Sequence, residues 1–200
     1  MNWDPLIKSF STYLRIERSL STNTIESYSN DLNKLSDFLT PKSISATKVR
    51  LNDLKDFITS ISEILSETSQ SRIISAIKSF YKFLLIENLI QTDPSENLVS
   101  PKIGRKLPNV LTIEEINLII NSVESNNVGI RNRAIIEIIY GCGLRVSELT
   151  NLLLSNLFLK QGYIKIVGKG NKERLSPIGS LAIDSLNDFL TNVRPGLKIN

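Results

Sequence analysis

Three prolines spaced seven residues apart divide this 200-residue sequence into two parts. Pro94, Pro101 and Pro108 lie within residues 90–110, together with Gly104 and three basic residues. A helix does not run through such a segment, because each proline removes a backbone donor and disfavours the helical conformation of the residue before it. We therefore expect an extended basic linker at residues 90–110, with a folded domain on each side.

The part before this linker shows helical periodicity throughout. Apolar residues recur three or four positions apart in four stretches, at residues 6–14, 25–39, 51–61 and 73–84. Asp4-Pro5 precedes the first stretch as a helix-start signal, and Pro41 stops the second. The pattern predicts an all-α, four-helix domain over residues 1–89.

The part after the linker is mixed. Thr112 and Glu115 have the spacing of a capping box and predict a helix through Val123. Further helices are predicted at residues 131–140, 146–153 and 182–192, with a break at residues 141–143. Between the last two helices, Ile164 and Ile166 alternate with more polar residues, and residues 168–172 supply a turn. This alternation predicts a β-hairpin over residues 162–178 with Lys169 at its tip, and a fold class that is mainly α with a small antiparallel sheet.

The composition excludes several kinds of chemistry. There is no histidine, which rules out Ser-His-Asp and Cys-His triads and any imidazole acid-base step. The single cysteine, Cys142, cannot form an internal disulfide or a cysteine-rich zinc site, so no metal is expected. The net charge of +4 permits a nucleic-acid partner without requiring one. Without a secretory signal or a long apolar run, we expect a cytoplasmic protein with no membrane anchor.

Two phosphate-binding templates fail in this sequence. Gly162 and Gly168-Lys169 have Gly170 where a P-loop needs serine or threonine, and Gly141-x-Gly143 lacks the third glycine of the dinucleotide fingerprint. No nucleotide cofactor is therefore expected.

Two basic residues remain as candidates for chemistry. Arg145 begins a predicted helix with Glu148 on the same face, and Lys169 is flanked by glycines in a turn. Taken singly, the first is also the pattern of a surface ion pair and the second that of a solvated turn lysine.

Taken together with their surroundings, these residues resemble the tyrosine recombinase (phage integrase) family, and most closely its Xer recombinases. The resemblance covers essentially the whole chain. It rests on the stretches at residues 131–137, 140–149 and 168–174, on Leu20-Ser21 with Thr24, Tyr28 and Asp31-Leu32, and on Ser75-Ala76-Ile77 with Ser79-Phe80-Tyr81. It implies a DNA-clamping, SAM-like first domain and, over residues 111–200, the first part of an α+β catalytic domain.

The resemblance also implies roles for single residues. Arg145 would stabilise charge on the scissile phosphate, Glu148 would hold that guanidinium, and Lys169 would protonate the departing 5′ oxygen. No cofactor is implied. The expected phosphate contacts are Arg72, Lys78, Lys102, Arg105, Lys106, Lys172 and Arg174.

The implied function is site-specific recombination of duplex DNA, as in chromosome dimer resolution at cell division, by a homo- or heterotetramer on DNA. Three alternatives remain open: an integrase of a mobile element, a non-catalytic DNA-binding remnant, and a helical interaction protein without a nucleic-acid role.

The sequence departs from the family after the hairpin. It has no His-x-x-Arg segment and no late tyrosine, because its five tyrosines all precede Lys169. We therefore expect a C-terminally truncated chain that does not cleave DNA alone, and poorly covered apolar faces at Ile135, Ile138 and Leu152.

Overall fold

The first half of the chain folds into four amphipathic helices. In the computed structural model, which describes residues 2–102, 104 and 109–197, they are α1 (Trp3–Ile16), α2 (Thr22–Leu39), α3 (Leu51–Ser62) and α4 (Glu67–Ile86). Asn2 caps α1 by accepting a hydrogen bond from the backbone of Trp3, so the helix begins two residues before the predicted Pro5. The four-helix arrangement predicted from the spacing is confirmed.

One apolar core holds these four helices together. Its largest fully buried side chains include Phe10, Phe57, Phe80 and Tyr81. Phe10 meets Phe80 edge to face at 5.5 Å between ring centroids, a favoured aromatic geometry. Leu98 is also buried in this core, so part of the chain after α4 packs against these helices.

The second half contains four further helices: α5 (Ile113–Asn121), α6 (Asn127–Cys142), α7 (Val146–Thr150) and α8 (Ser180–Asp188). Thr112 and Glu115 form the predicted capping box, with hydrogen bonds of 3.2 and 2.8 Å in the two directions. α6 extends past both predicted ends, because Asn126 caps its start and helix geometry continues through Gly141. α7 and α8 are shorter than predicted, and α8 continues into a π-helical turn at Phe189–Val193.

A three-stranded antiparallel sheet of order β1-β2-β3 lies between α7 and α8 in the sequence. Its strands are β1 (Leu157–Phe158), β2 (Tyr163–Val167) and β3 (Glu173–Pro177), and β3 is an edge strand. The predicted hairpin is confirmed as β2 and β3, with Ile166 opposite Arg174. β1 was not predicted, since two residues carry no readable alternation.

The second half has its own core, in which Ile138, Ile164 and Ile166 are buried. Ile138 is 3% exposed, so the expectation that it is poorly covered is wrong. Ile135, Ile138 and Leu152 together line an open apolar groove of about 350 Å³.

The described chain divides into two compact units, at residues 1–106 and 107–200. Within the ranges that the structure describes, no helix combines the length and apolarity that crossing a membrane requires.

Candidate active site

Arg145 and Glu148 form a fixed pair at the start of α7. Arg145 is the N-cap residue, and the Glu148 carboxylate accepts a hydrogen bond of 2.9 Å from its backbone N–H. The same carboxylate accepts a second bond of 3.0 Å from Nη1 of the Arg145 side chain. A glutamate three residues into a helix closes back on the N-cap in this way. The predicted pair is thus formed, with the Glu148 side chain 3% exposed and that of Arg145 75% exposed.

A second arginine reaches the same carboxylate from β3. Arg174 donates from Nη1 to Oε1 of Glu148 at 2.7 Å and from Nη2 to Oε2 at 2.8 Å. Two parallel bonds of this kind are the strongest arginine–carboxylate geometry. Nη2 also lies 3.3 Å from the carbonyl oxygen of Gly143, at the corner between α6 and α7.

The corner itself has a defined shape. Gly143 ends α6 in the left-handed conformation, with φ of 61°, which favours glycine. The backbone N–H of Leu144 then donates back to the carbonyl of Ile139 at 3.2 Å. Ser176 of β3 donates to the carbonyl of Cys142 at 2.9 Å. Both inward-facing residues of β3 therefore bind this corner.

The hairpin tip lies close to Glu148. A Cβ atom on Gly168 would be 3.2 Å from Oε1 of Glu148 and 3.6 Å from Nη1 of Arg174. The backbone N–H of Gly168 donates to the carbonyl of Lys172 at 2.8 Å and closes the turn. Lys169 follows directly, in a short helical turn at Lys169–Asn171. The structure therefore places the backbone of Lys169 directly after a residue where a side chain would crowd Glu148.

These contacts set the charge of the cluster. The hydrogen bonds from Arg174, followed by the one from the Arg145 backbone, lower the pKa of Glu148 to about 2. The hydrogen bond with Glu148 raises the pKa of Arg174. Two guanidinium groups and one carboxylate thus carry a net positive charge near neutral pH. Because Arg145 gives the carboxylate one side-chain bond and is mostly exposed, it can donate to an external anion.

The candidate phosphate contacts of the first unit are held in different ways. Arg72 on α4 binds the carboxylate of Asp31, a buried residue of α2 that also lies 3.8 Å from Lys34. Burial raises the pKa of Asp31 despite these cations. Lys78 donates weakly to the carbonyl of Glu96, at 3.4 Å. Six helical positions separate Arg72 and Lys78, about 240° around the axis, so α4 does not bring them together.

The other predicted contacts divide into two groups. Lys102 and Lys172 are exposed, as a phosphate contact requires. Arg105 and Lys106 lie outside the described residues.

Sequence reasoning missed two features of the site. Arg174 was assigned to phosphate binding, and its partner Glu148 lies 26 positions away, beyond any local pattern. The close approach of Gly168 to Glu148 was also missed, because it depends on that same long-range contact. In the part of the chain that the structure describes, no three Cys, Asp or Glu side chains cluster as metal ligands.

Two sequence families match most of the chain. The phage integrase N-terminal SAM-like domain matches residues 7–88, and the phage integrase family matches residues 109–198. Tyrosine recombinase XerD of Chlorobaculum tepidum is 39% identical over 200 residues, covering 98% of this chain and 66% of that protein. XerD of Proteus mirabilis is 38% identical and XerC of Natranaerobius thermophilus also 38%, covering 97% and 94% of this chain and 63% and 64% of those proteins. The chain thus spans somewhat less than two thirds of these relatives.

Solved structures share the fold. The chain matches XerH site-specific recombinase bound to a palindromic difH substrate with a TM-score of 0.70 at 22% identity, over 97% of this chain and 59% of that one. It matches a lambda integrase tetramer bound to a Holliday junction with a TM-score of 0.74 at 16% identity, over 94% and 56% of the two chains. With both families matched in order along the sequence and Xer relatives at up to 39% identity, this chain belongs to the phage integrase family of tyrosine recombinases.

Proposed function

We propose that this 200-residue chain forms the DNA clamp and part of the active site of a site-specific recombinase that cuts and rejoins duplex DNA. The observation that carries the proposal is the cluster of Arg145, Glu148 and Arg174, which joins an exposed guanidinium to the hairpin that bears Lys169. Cleavage of a phosphodiester is accelerated by a cationic donor to the developing charge and by an acid that protonates the leaving oxygen.

The proposed chemistry is a transesterification. Attack on the scissile phosphate builds negative charge on its non-bridging oxygens, and the Arg145 guanidinium would donate hydrogen bonds to them. Lys169 would give its proton to the departing 5′ oxygen. The family's covalent link to a tyrosine keeps the bond energy for rejoining. We assign that nucleophile to none of the tyrosines here, because all of them precede Lys169.

We further propose a division of labour along the chain. Residues 1–89 would clamp the DNA, residues 90–110 would join the two parts, and residues 111–200 would supply the catalytic groups named above. The cellular role would be that of a Xer recombinase, acting in the cytoplasm on chromosome dimers as a tetramer of identical or related subunits. The identity to XerD and XerC proteins supports this role, and the lambda integrase tetramer on a Holliday junction supports the assembly.

A second candidate is DNA binding without cleavage. It is favoured by the exposure of Lys102 and Lys172, which suits phosphate contacts whether or not the catalytic groups act. A mobile-element integrase is the alternative within the family, and a transposon integrase shares the fold with a TM-score of 0.68.

Binding of duplex DNA by the 200-residue chain is the first test. Affinity for a duplex carrying a Xer recombination site should fall steeply between 50 and 200 mM salt, because phosphate contacts release counterions. Lys102→Gln and Lys172→Gln should each reduce the slope of log affinity against log salt by about 1. Lys55→Gln on the exposed face of α3 serves as the matched control. A salt-independent or absent affinity would contradict the proposal and favour an interaction protein.

Cleavage can be tested in a chimera. In this chimera, the part of Chlorobaculum tepidum XerD that the chain does not match is joined after residue 197. Covalent capture on a nicked duplex should be lost in Arg145→Ala and Lys169→Ala while duplex binding persists. Lys169→Arg should keep binding but lose most cleavage, since a guanidinium is a poor acid. Cleavage at an unchanged rate in either alanine variant would overturn the assignment.

A further inference from the structure

The guanidinium of Arg174 binds groups of the protein itself, although its charge alone suggests a contact with DNA phosphate. Both of its terminal nitrogens are used by Glu148, and Nη2 also lies within reach of the Gly143 carbonyl. In the strand pattern of β3, Arg174 and Ser176 alternate with the exposed residues Glu173, Leu175 and Pro177. The side chain that was expected to meet DNA therefore points towards the corner between α6 and α7.

Three contacts connect this strand to the corner that carries Arg145. Ser176 binds the Cys142 carbonyl, Arg174 binds the Gly143 carbonyl, and Arg174 binds Glu148, which in turn holds Arg145. The first two fix the strand to the backbone. Only the third passes through a side chain that touches the proposed donor to the phosphate.

Gly168, at the tip of the hairpin, lies close to the Glu148 carboxylate. Its backbone is extended, with φ of −98°, so the conformation itself does not require glycine. The requirement is space, since any Cβ would come within 3.2 Å of the Glu148 carboxylate. Glu148 is thus hydrogen-bonded from the helix start and from β3, and the residue before Lys169 leaves no room for a side chain beside it.

We propose that Arg174 is a positioning residue: through Glu148 it fixes the hairpin tip that carries Lys169 relative to the Arg145 guanidinium. The proposal rests on the proposed function for the meaning of those two residues, but the coupling is a property of the fold. A bidentate ion pair between the half-buried Arg174 and the buried Glu148 makes the tip and the guanidinium move together. Without Arg174, the backbone of the hairpin tip would no longer be held in one place relative to the Arg145 guanidinium.

Hydrogen exchange in the 200-residue chain tests the coupling. The tip amides are the backbone N–H groups of residues 168–172. Arg174→Gln should increase their exchange rate by ~10-fold or more, the loss expected for hydrogen bonds to a charged group. Lys165→Gln is the matched control, because it breaks the exposed 3.0 Å pair with Glu173 in the same hairpin and should change the rate by about twofold. Equal rates in the two variants would overturn the proposal.

A spectroscopic readout separates positioning from simple support of the fold. The carboxyl carbon of Glu148 should titrate near pH 2 in the wild type and closer to the ordinary value of 4.5 in Arg174→Gln. Arg174→Lys keeps the charge but not the two parallel bonds, so it should retain part of the low titration midpoint without restoring slow exchange at the tip. Full restoration by lysine would show that charge alone matters, and would overturn the geometric role.

A second variant covers the case in which Arg174→Gln unfolds the second unit, which loss of amide protection in α6 would reveal. Gly168→Ala keeps every charge and crowds Glu148. It should shift the Glu148 carboxyl signal and speed exchange at the tip while α6 stays protected. An unchanged carboxyl signal would contradict the close packing on which the proposal depends.

DNA binding distinguishes this proposal from the proposed function. If the wild-type chain does not bind duplex DNA, the proposed function fails while the exchange results stand. If Arg174→Gln weakens binding more than tenfold and leaves the tip amides unchanged, Arg174 is a phosphate contact and the positioning role is wrong.

Discussion

At the scale of single residues, Glu148 concentrates more contacts than any charged neighbour in the described site. It accepts from the backbone and side chain of Arg145 and from two nitrogens of Arg174. Spacing alone predicted its contact with Arg145. The contact with Arg174 was not predictable, because only the pairing of β2 with β3 brings position 174 to position 148.

The low pKa of Glu148 makes stability depend on pH. A carboxyl group whose pKa is lower in the folded than in the unfolded state stabilises the fold above the unfolded value and loses that contribution as pH falls. The window therefore runs from about 4.5 down to about 2. We expect Glu148→Gln to unfold at lower temperature than the wild type at pH 7, and the gap to close across this window.

Thermal melts followed by circular dichroism at several pH values measure that gap. Asp31 is unchanged in both proteins, so its raised pKa, which acts in the opposite direction, cancels in the comparison. A gap that stays constant down to pH 2 would show that Glu148 is not held as an ion.

At the scale of elements, sequence periodicity predicted the helices well and their ends less well. α1 to α4 follow from apolar spacing, because each buries one face in a shared core. Both ends of α6 were predicted incorrectly, because apolar spacing does not show where a helix is capped. Asn126 caps its start, and the helix continues through Gly141. β1 was not predicted, because only its pairing with β2 defines its two residues as a strand.

Two glycines in α6 give a paired prediction. A Cβ on Gly129 would lie 1.7 Å from the carbonyl oxygen of Glu124, whereas one on Gly141 would meet only Ala182, at 3.9 Å. Gly129→Ala should lower the free energy of unfolding by roughly 1–3 kcal/mol, the usual cost of overpacking. Gly141→Ala should raise it by about 0.5–1 kcal/mol, because alanine favours the helix.

Urea titrations of both variants and the wild type supply the free energies. The sign difference is the informative result, since both substitutions add the same methyl group to one helix. Destabilisation of equal size at both positions would show that contacts around Gly129 do not decide the outcome.

At the scale of the whole molecule, each compact unit has its own set of buried apolar residues. The prolines predicted two folded parts. That these parts have different functions remains a proposal. What the sequence could not predict is how far the first core extends, because Leu98 lies inside the segment expected to be a linker.

Separate cores predict separate unfolding. Phe10→Ala should destabilise the first unit by about 3–5 kcal/mol, and the fluorescence of Trp3, which is buried in that core, should report the loss. The amide protection of β2 should not change. Ile164→Ala is the reciprocal variant, because Ile164 is fully buried in the second core. A common shift of both signals in either variant would show that the units unfold as one.

The position of β3 at the edge of the sheet has a consequence for solubility. Since Gly168 bonds to Lys172 and Ile178 to Gly162, even-numbered residues of β3 turn their backbone groups towards β2 and odd-numbered ones turn them outward. The outward set ends in Pro177, which has no N–H, and begins with the charge of Glu173. Proline and charge are the devices that keep an open edge from recruiting another strand. These two residues thereby protect the β3 edge of the sheet against pairing with a strand of another molecule.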